Sequence, residues 1–199
     1  MALRLDEKYE RIYAHEENFA YALAKNIVKK PDISVWMILL PVLFVHHAYR
    51  VNQYKAGVKS FAEGILSSRK KALDKTYKEI SYGKQLSYGI KDYFPDVDLT
   101  AQQNKALAEK QLVVLRIMET HYSALLQAEG KNFQALLRNV YGSSGQYRNY
   151  LEKLTAAEKE INRHLRDHVH TGEDARAVIK AIEQHSERLR EEEVKYFFE

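Results

Sequence analysis

Apolar and polar positions recur with helical spacing along most of this 199-residue chain. Near the N-terminus, apolar residues return every three or four positions, which predicts a helix over about residues 5–28 with one buried face. That face consists of Leu5, Tyr9, Ile12, Glu16, Phe19, Leu23 and Ile27. Glu16 is its only charged member. We expect this carboxylate to pair with an Arg, Lys or His of a neighbouring helix, because a functional acid would need a base that the local sequence does not offer.

One segment departs from the amphipathic pattern. Residues 33–45 are apolar on every side, with Ser34 as their only polar residue. A helix that is apolar all round must be buried in the core, in a partner subunit or in a membrane. Pro31 ends the preceding helix, and Pro41 kinks an apolar helix predicted over residues 33–51. The residues expected to carry an interaction are Trp36, Ile38, Leu39, Leu40, Leu43 and Phe44.

A long basic helix is predicted next, reaching about residue 81, and it completes an N-terminal part of residues 1–82. Its predicted inward positions are Val58, Phe61, Ile65, Ala72 and Tyr77. Residues 83–99 contain Gly89, Pro95 and three aspartates, which is typical of a linker. They separate the N-terminal part from a C-terminal helical part of residues 100–199.

Four helices are predicted in the C-terminal part, over about residues 100–128, 132–141, 146–169 and 171–199. Thr100 with Gln103, and Thr171 with Asp174, form two candidate capping boxes. The predicted buried stripes are Leu107, Val114, Met118, Tyr122 and Leu125, then Leu151, Leu154, Ile161 and Leu165, then Val178, Ile182 and Leu189. Short connections favour antiparallel neighbours. The predicted fold class is therefore all-α, a bundle of long antiparallel helices with one apolar, proline-kinked helix.

Charge is distributed unevenly around a net charge of +4. Residues 55–91 carry nine Lys or Arg against three acidic residues, directly after the apolar segment. A solvated helix face is the ordinary interpretation. Because these basic residues lie beside an apolar helix, a second interpretation is that they contact anionic lipid headgroups. The residues proposed for that contact are Lys55, Lys59, Arg69, Lys70 and Lys71.

At the other end of the chain, residues 191–193 are three glutamates near a helix C-terminus, so this end should fray or pack onto basic groups.

Candidate chemistry is sparse. Glu160, His164 and His168 share one helix face and are the weak candidates for a metal site. No histidine follows a glutamate at the Glu-x-x-His spacing of di-iron bundles, so a solvated helix flank is the favoured interpretation. The chain has no cysteine, which excludes disulfides and thiolate ligands. Phosphate-binding loops, catalytic motifs and nucleic-acid motifs are also missing from the sequence, so we expect no catalysis, no cofactor and no nucleic-acid partner.

Three short strings add a resemblance. LLQAEG at residues 125–130, VYG at 140–142 and AEKEINR at 157–163 resemble a family of uncharacterised bacterial helical proteins of similar length. The resemblance implies a bacterial origin and a helical fold, and it implies no activity.

Three hypotheses about function stay open. In the first, the protein is a non-enzymatic interaction or scaffold protein that self-associates, or binds a protein partner, through residues 33–45. In the second, it is a peripheral or monotopic membrane protein, because 13 apolar residues rise roughly 20 Å and fall short of the roughly 30 Å hydrocarbon core. In the third, it is a metal-dependent bundle enzyme that uses Glu160, His164 and His168. The first eight residues are charged from the fourth and lack a secretory signal, so the expected location is the cytoplasm, including the cytoplasmic face of the membrane.

Overall fold

Helices form all the regular structure that is described for this chain. The structure is a computed structural model that describes residues 2–28, 54–168 and 173–199. Its helices are α1 (Leu5–Ile27), α2 (Tyr54–Tyr82), α3 (Ile90–Tyr93), α4 (Gln102–Gln127), α5 (Phe133–Tyr141), α6 (Ser144–His168) and α7 (Glu173–Phe198). No strand occurs among these residues, and the predicted all-α class is confirmed.

Helices α1 and α2 form an antiparallel pair. The Tyr9 hydroxyl donates to Asp74 Oδ1 at 2.5 Å, and Arg69 Nη1 lies 2.7 Å from Glu16 Oε2. Further along α1, an end cluster of small and branched residues joins the last turns of α1 to the first turns of α2. It consists of Ala20, Leu23, Ala24, Ile27, Val28, Val58, Phe61, Ala62 and Leu66. The end of α1 and the start of α2 therefore lie at the same end of the bundle.

The remaining long helices complete one interior. Helix α4 packs on α2 and on α6, and α7 runs antiparallel to α6 while it also covers α1. One buried cluster contains Ile12 of α1, Leu73 of α2, Met118 of α4 and Val194 of α7. The two sequence halves thus share a core. The predicted stripe of α4 is confirmed, because all five of its residues are buried.

The segment between α2 and α4 differs from an exposed linker. The break in helical structure does fall here, but Tyr93, Phe94 and Val97 are buried in the main core. The capping box expected at Thr100 is wrong: the Thr100 hydroxyl donates to Asp98 Oδ1 at 2.6 Å, and α4 begins after Ala101 without a side-chain cap. Asp98 competes for the hydroxyl because it lies only two residues away. The second predicted box involves Thr171, which lies outside the described residues.

Helix α7 turns a different face inward from the predicted one. Val178, Ile182 and Leu189 are only half-buried. The buried residues are Ala175, Ile179, Ser186, Arg190, Val194 and Phe197. The prediction missed this face because two of its central positions are polar. The three terminal glutamates do pack onto basic groups, as expected: Glu191 onto Arg148, Glu192 onto Arg188 and Glu193 onto His15.

Candidate functional site

The structure does not describe the residues predicted to carry an interaction, nor Pro31 and Pro41. The predicted interaction residues are Trp36, Ile38, Leu39, Leu40, Leu43 and Phe44. The structure does describe where the chain leaves α1 and where it resumes in α2. Both points adjoin the end cluster, whose outer side packs against Val178, Ala181, Ile182 and Leu189 of α7. The apolar segment is therefore bracketed by two helix ends that lie together.

The basic residues predicted to face a membrane lie in different environments. Lys59 is exposed and sits 3.7 Å from Glu63. Lys70 pairs with Asp74 at 2.9 Å, and Lys71 Nζ donates to the Tyr93 carbonyl at 2.9 Å. Arg69 points into the bundle with 12% of its side chain exposed, so it does not serve as a surface contact. The Lys55 side chain is outside the described part of the structure.

The candidate metal residues also separate. Glu160 pairs with Lys110 and with Arg163, at 3.6 and 2.9 Å. His164 is buried, and the side chain of His168 is outside the described part of the structure. Within residues 2–28, 54–168 and 173–199, no group of three or more His, Asp or Glu side chains is placed to hold a metal ion.

A network of buried charges crosses the centre of the bundle. This charge network consists of Glu16, Arg69, Glu158 and Arg190, one residue from each of α1, α2, α6 and α7. Arg69 bridges Glu16 at 2.7 Å and Glu158 at 3.4 Å. Arg190 binds both oxygens of Glu158 at 2.8 Å and donates to Thr155 Oγ1 at 2.6 Å. Two carboxylates and two guanidinium groups are thereby neutralised inside the protein, and the predicted partner of Glu16 is an arginine.

Electrostatic attraction keeps Arg69, Arg190 and Glu158 ionised. Burial alone would lower the pKa of Arg69, but the Glu16 and Glu158 carboxylates outweigh it and raise the pKa above its ordinary value. Burial would likewise raise the pKa of Glu158, but Arg190 and Arg69 hold that pKa below its ordinary value. Both guanidinium groups also lie over the Phe19 ring, at 5.3 and 5.6 Å from its centroid. Flat, weakly hydrated guanidinium groups suit such a buried aromatic contact.

Beside the charge network lies a tyrosine cluster, formed by His121, Tyr122, Tyr141, Tyr147 and Tyr150. His121 Nδ1 lies 2.6 Å from the Tyr141 hydroxyl, and the imidazole stacks on Tyr150 with 4.3 Å between ring centroids. Burial lowers the pKa of His121 to about 3 and raises the pKa of Tyr147 well above its ordinary value. This cluster therefore holds its titratable side chains in the neutral form.

His15 and Glu193 join the cluster to the end of α7. His15 Nε2 is 2.6 Å from Glu193 Oε1, which also accepts a hydrogen bond from the Tyr147 hydroxyl at 2.9 Å. The His15 ring stacks on Phe133 of α5, with centroids 4.1 Å apart. Burial acts to lower the pKa of His15, but the charge of Glu193 and its hydrogen bond outweigh burial and raise that pKa above 6.5. The contact fastens the last turns of α7 to α1, and it becomes an ion pair when His15 is protonated.

The sequence pattern also pointed to the other members of the charge network, although only Glu16 was predicted to be buried and paired. Glu158 occupies a position on the stripe of Leu151, Leu154, Ile161 and Leu165. Arg190 follows Ser186 and precedes Val194 at steps of four, and Arg69 falls between Leu66 and Leu73. A charged residue at a stripe position is expected to be buried and paired, because an unpaired charge there would be too costly. All four members meet that rule.

Comparison with known proteins adds no assignment. No family model matches the chain, and neither a curated protein nor a solved structure matches it. The bacterial family suggested by the three short strings therefore stays a prediction. None of the described helices has the length and the apolarity needed to cross a membrane.

Proposed function

We propose that this chain is a non-enzymatic interaction or scaffold protein that buries its apolar residues 33–45 outside its own bundle, in an oligomer or at a membrane surface. One observation carries the proposal. The antiparallel packing of α1 and α2 brings Val28 and Tyr54 to one end of the bundle, with the apolar sequence between them. A helical bundle that offers an apolar segment from one end is suited to binding a second surface.

The described core supports this reading of the segment. Its main cluster takes residues from α1, α2, α4, α5, α6 and α7, and the large side chains of that cluster are buried. Residues of α7 pack against the end cluster. The described helices thus share one packed interior, and we propose that the apolar sequence serves an external partner.

The same arrangement favours peripheral attachment as the form of any membrane contact. A helix that spans a bilayer separates its two flanks, whereas here both flanks belong to neighbouring helix ends. A segment that enters and leaves one leaflet keeps both flanks on one side. The exposed Lys59 near this end would then face the headgroups.

Two substitutions test the proposal on the full chain. Leu39→Glu combined with Leu43→Glu places two charges in the apolar segment. The matched control combines Val113→Glu with Tyr196→Glu, because these residues are 55% and 76% exposed and lie on α4 and α7. Light scattering coupled to size exclusion measures the oligomer, and flotation with phosphatidylcholine–phosphatidylglycerol vesicles measures membrane binding.

The expected result is a smaller oligomer, or release from vesicles, for the Leu39/Leu43 variant alone, with helical content and melting temperature unchanged. Loss of the oligomer identifies a second copy as the partner, and loss of flotation identifies the bilayer. A wild-type chain that is monomeric and does not float, or a variant that simply unfolds, would refute the proposal.

A further inference from the structure

A half-enclosed cavity of about 170 Å³ lies beside the charge network, where α1, α2, α6 and α7 meet. The apolar part of its lining, called the apolar wall, consists of Leu23, Ile65, Ile161 and Ile182. The polar part, called the polar wall, consists of Thr155, Asn162 and Ser186 together with the two buried arginines. Lys159 marks the side that opens to solvent, because half of its side chain is exposed. The lining is thus amphipathic, because it combines apolar side chains with polar ones.

Ser186 gives the cavity an unused hydrogen-bonding group. It is 6% exposed and makes no hydrogen bond with another described residue. Buried hydroxyls inside helices commonly donate to the carbonyl four residues earlier, as Thr76 does to Ala72 at 2.8 Å. Thr155 has one unused hydrogen-bonding function. Its hydroxyl oxygen accepts a hydrogen bond from Arg190, but its hydroxyl proton has no acceptor among the described residues. Two hydroxyl groups therefore remain available at the polar wall.

The charges around the cavity are already matched, which restricts the ligand. Arg69 and Arg190 are satisfied by Glu16 and Glu158, and Glu183 accepts from Asn162 and Arg166 at 3.0 Å each. An ionised ligand would have to leave water without finding an unpaired opposite charge. The arrangement favours a neutral molecule.

The volume sets the size of that molecule. An engineered apolar cavity of about 150 Å³ in another protein binds benzene, so this cavity can hold a body of about one six-membered ring. Water would fill the space with about five or six molecules, at roughly 30 Å³ each. Those beside the apolar wall would lack hydrogen-bond partners, so their displacement by an apolar group is favourable.

We propose that this cavity binds a small uncharged molecule with a compact apolar body and one hydroxyl or carbonyl group, which contacts the Ser186 and Thr155 hydroxyls. The apolar body lies against Ile161 and Ile182. The proposal does not rest on the partner proposed for residues 33–45.

Phenol is the probe for the test, with benzoate as its charged counterpart and benzene as its apolar one. Amide chemical shifts of the full chain are followed during titration with each compound. The expected result is saturable binding of phenol, with shifts centred on residues 155, 161 and 186. Benzoate is expected to bind at least about tenfold more weakly, since a loss of 1.4 kcal/mol is tenfold in affinity.

Two substitutions of Ser186 and one control at Ser67 keep the proposal falsifiable. Ser186→Leu fills the cavity and should abolish binding, whereas Ser67→Leu at an exposed position of α2 should leave it unchanged. Ser186→Ala, which preserves the packing, should weaken phenol about fivefold through the loss of one hydrogen bond worth about 1 kcal/mol, and should leave benzene unaffected. The proposal is overturned if phenol gives no saturable shifts, if water alone occupies the cavity, or if Ser186→Leu folds and still binds. Equal affinity for benzoate would overturn the neutral class of ligand.

Discussion

The charge network and the tyrosine cluster lie side by side in the bundle interior and hold their titratable groups in opposite states. Arg69 and Arg190 stay ionised because two carboxylates meet them at short range. His121 and Tyr122 stay neutral because they are enclosed without an opposite charge bonded to them. Burial disfavours charge in both places, so the presence of a bonded counter-charge decides the outcome. The comparison teaches that a buried group's partner, and not its burial alone, sets its protonation.

The largest effect is expected from breaking the charge network. Arg69→Leu leaves the Glu16 carboxylate buried without its cation and should lower the free energy of unfolding by about 3–5 kcal/mol. Lys70→Leu, one residue along α2, removes an exposed pair with Asp74 and should cost at most about 1 kcal/mol. Urea unfolding followed by circular dichroism measures both.

A double variant separates charge from packing in this test. Glu16→Gln added to Arg69→Leu removes the orphaned carboxylate charge, so it should recover part of the stability that Arg69→Leu loses. If the double variant is less stable than Arg69→Leu, the network contributes through packing, and the contrast with the tyrosine cluster fails.

Much of the fold could be predicted from the sequence, since helical spacing is a local property. Helix α1 and the stripe of α4 follow directly from apolar residues at steps of three and four. The face of α7 could not be found in this way, because the polar residues Ser186 and Arg190 occupy its centre, and the burial of Arg190 is explained only by its partner Glu158 on α6. The packed segment with Tyr93 and Phe94 was missed for a related reason: its glycine, proline and aspartates indicate irregular backbone, but they do not indicate where that backbone packs.

The next largest effect is expected on the free energy of unfolding at acid pH, and it tests whether His121 is neutral in the folded protein. The folded protein holds the pKa of His121 at about 3, while the unfolded chain takes up this proton below about 6.5. Stability should therefore fall as the pH falls below 6.5, by up to about 1.4 kcal/mol per pH unit from this residue. His121→Phe should remove that contribution, seen as a shallower loss of unfolding free energy on acidification.

Tyr141→Phe is the matched control for His121. It deletes the same hydrogen bond, at 2.6 Å, but keeps the imidazole. Its dependence of stability on pH should match that of the wild type. Equal slopes for His121→Phe and the wild type would show that His121 is protonated in the folded protein.

A smaller effect of opposite sign is expected from His15, which stands between the two regions. Because its pKa is raised in the folded state, its contribution is complete below pH 6.5 and is lost as the pH rises through the folded pKa. The effect is smaller than that of His121 because a neutral imidazole can still donate to Glu193. Glu16 and Arg69 also act on His15 and partly offset each other.

His15→Gln should flatten the alkaline part of the profile of unfolding free energy against pH. Tyr147→Phe removes the other donor to Glu193 and should leave that part in place, because the carboxylate charge remains. An unchanged alkaline profile in His15→Gln would assign the pH dependence to another group.

The smallest effect is expected at Tyr122, where the cluster meets the charge network. Its hydroxyl is fully buried, and by distance and angle it has no hydrogen-bond partner within the described part of the chain. Removing a hydroxyl that has no hydrogen-bond partner also removes the desolvation cost of burying that hydroxyl. Tyr122→Phe should therefore change the free energy of unfolding by less than about 0.5 kcal/mol. Tyr147→Phe, which loses a hydrogen bond to the Glu193 carboxylate, should cost about 1.5–3 kcal/mol in the same assay. A loss of that size at Tyr122 would mean that its hydroxyl donates to Glu16, and the two regions would then form one hydrogen-bonded network.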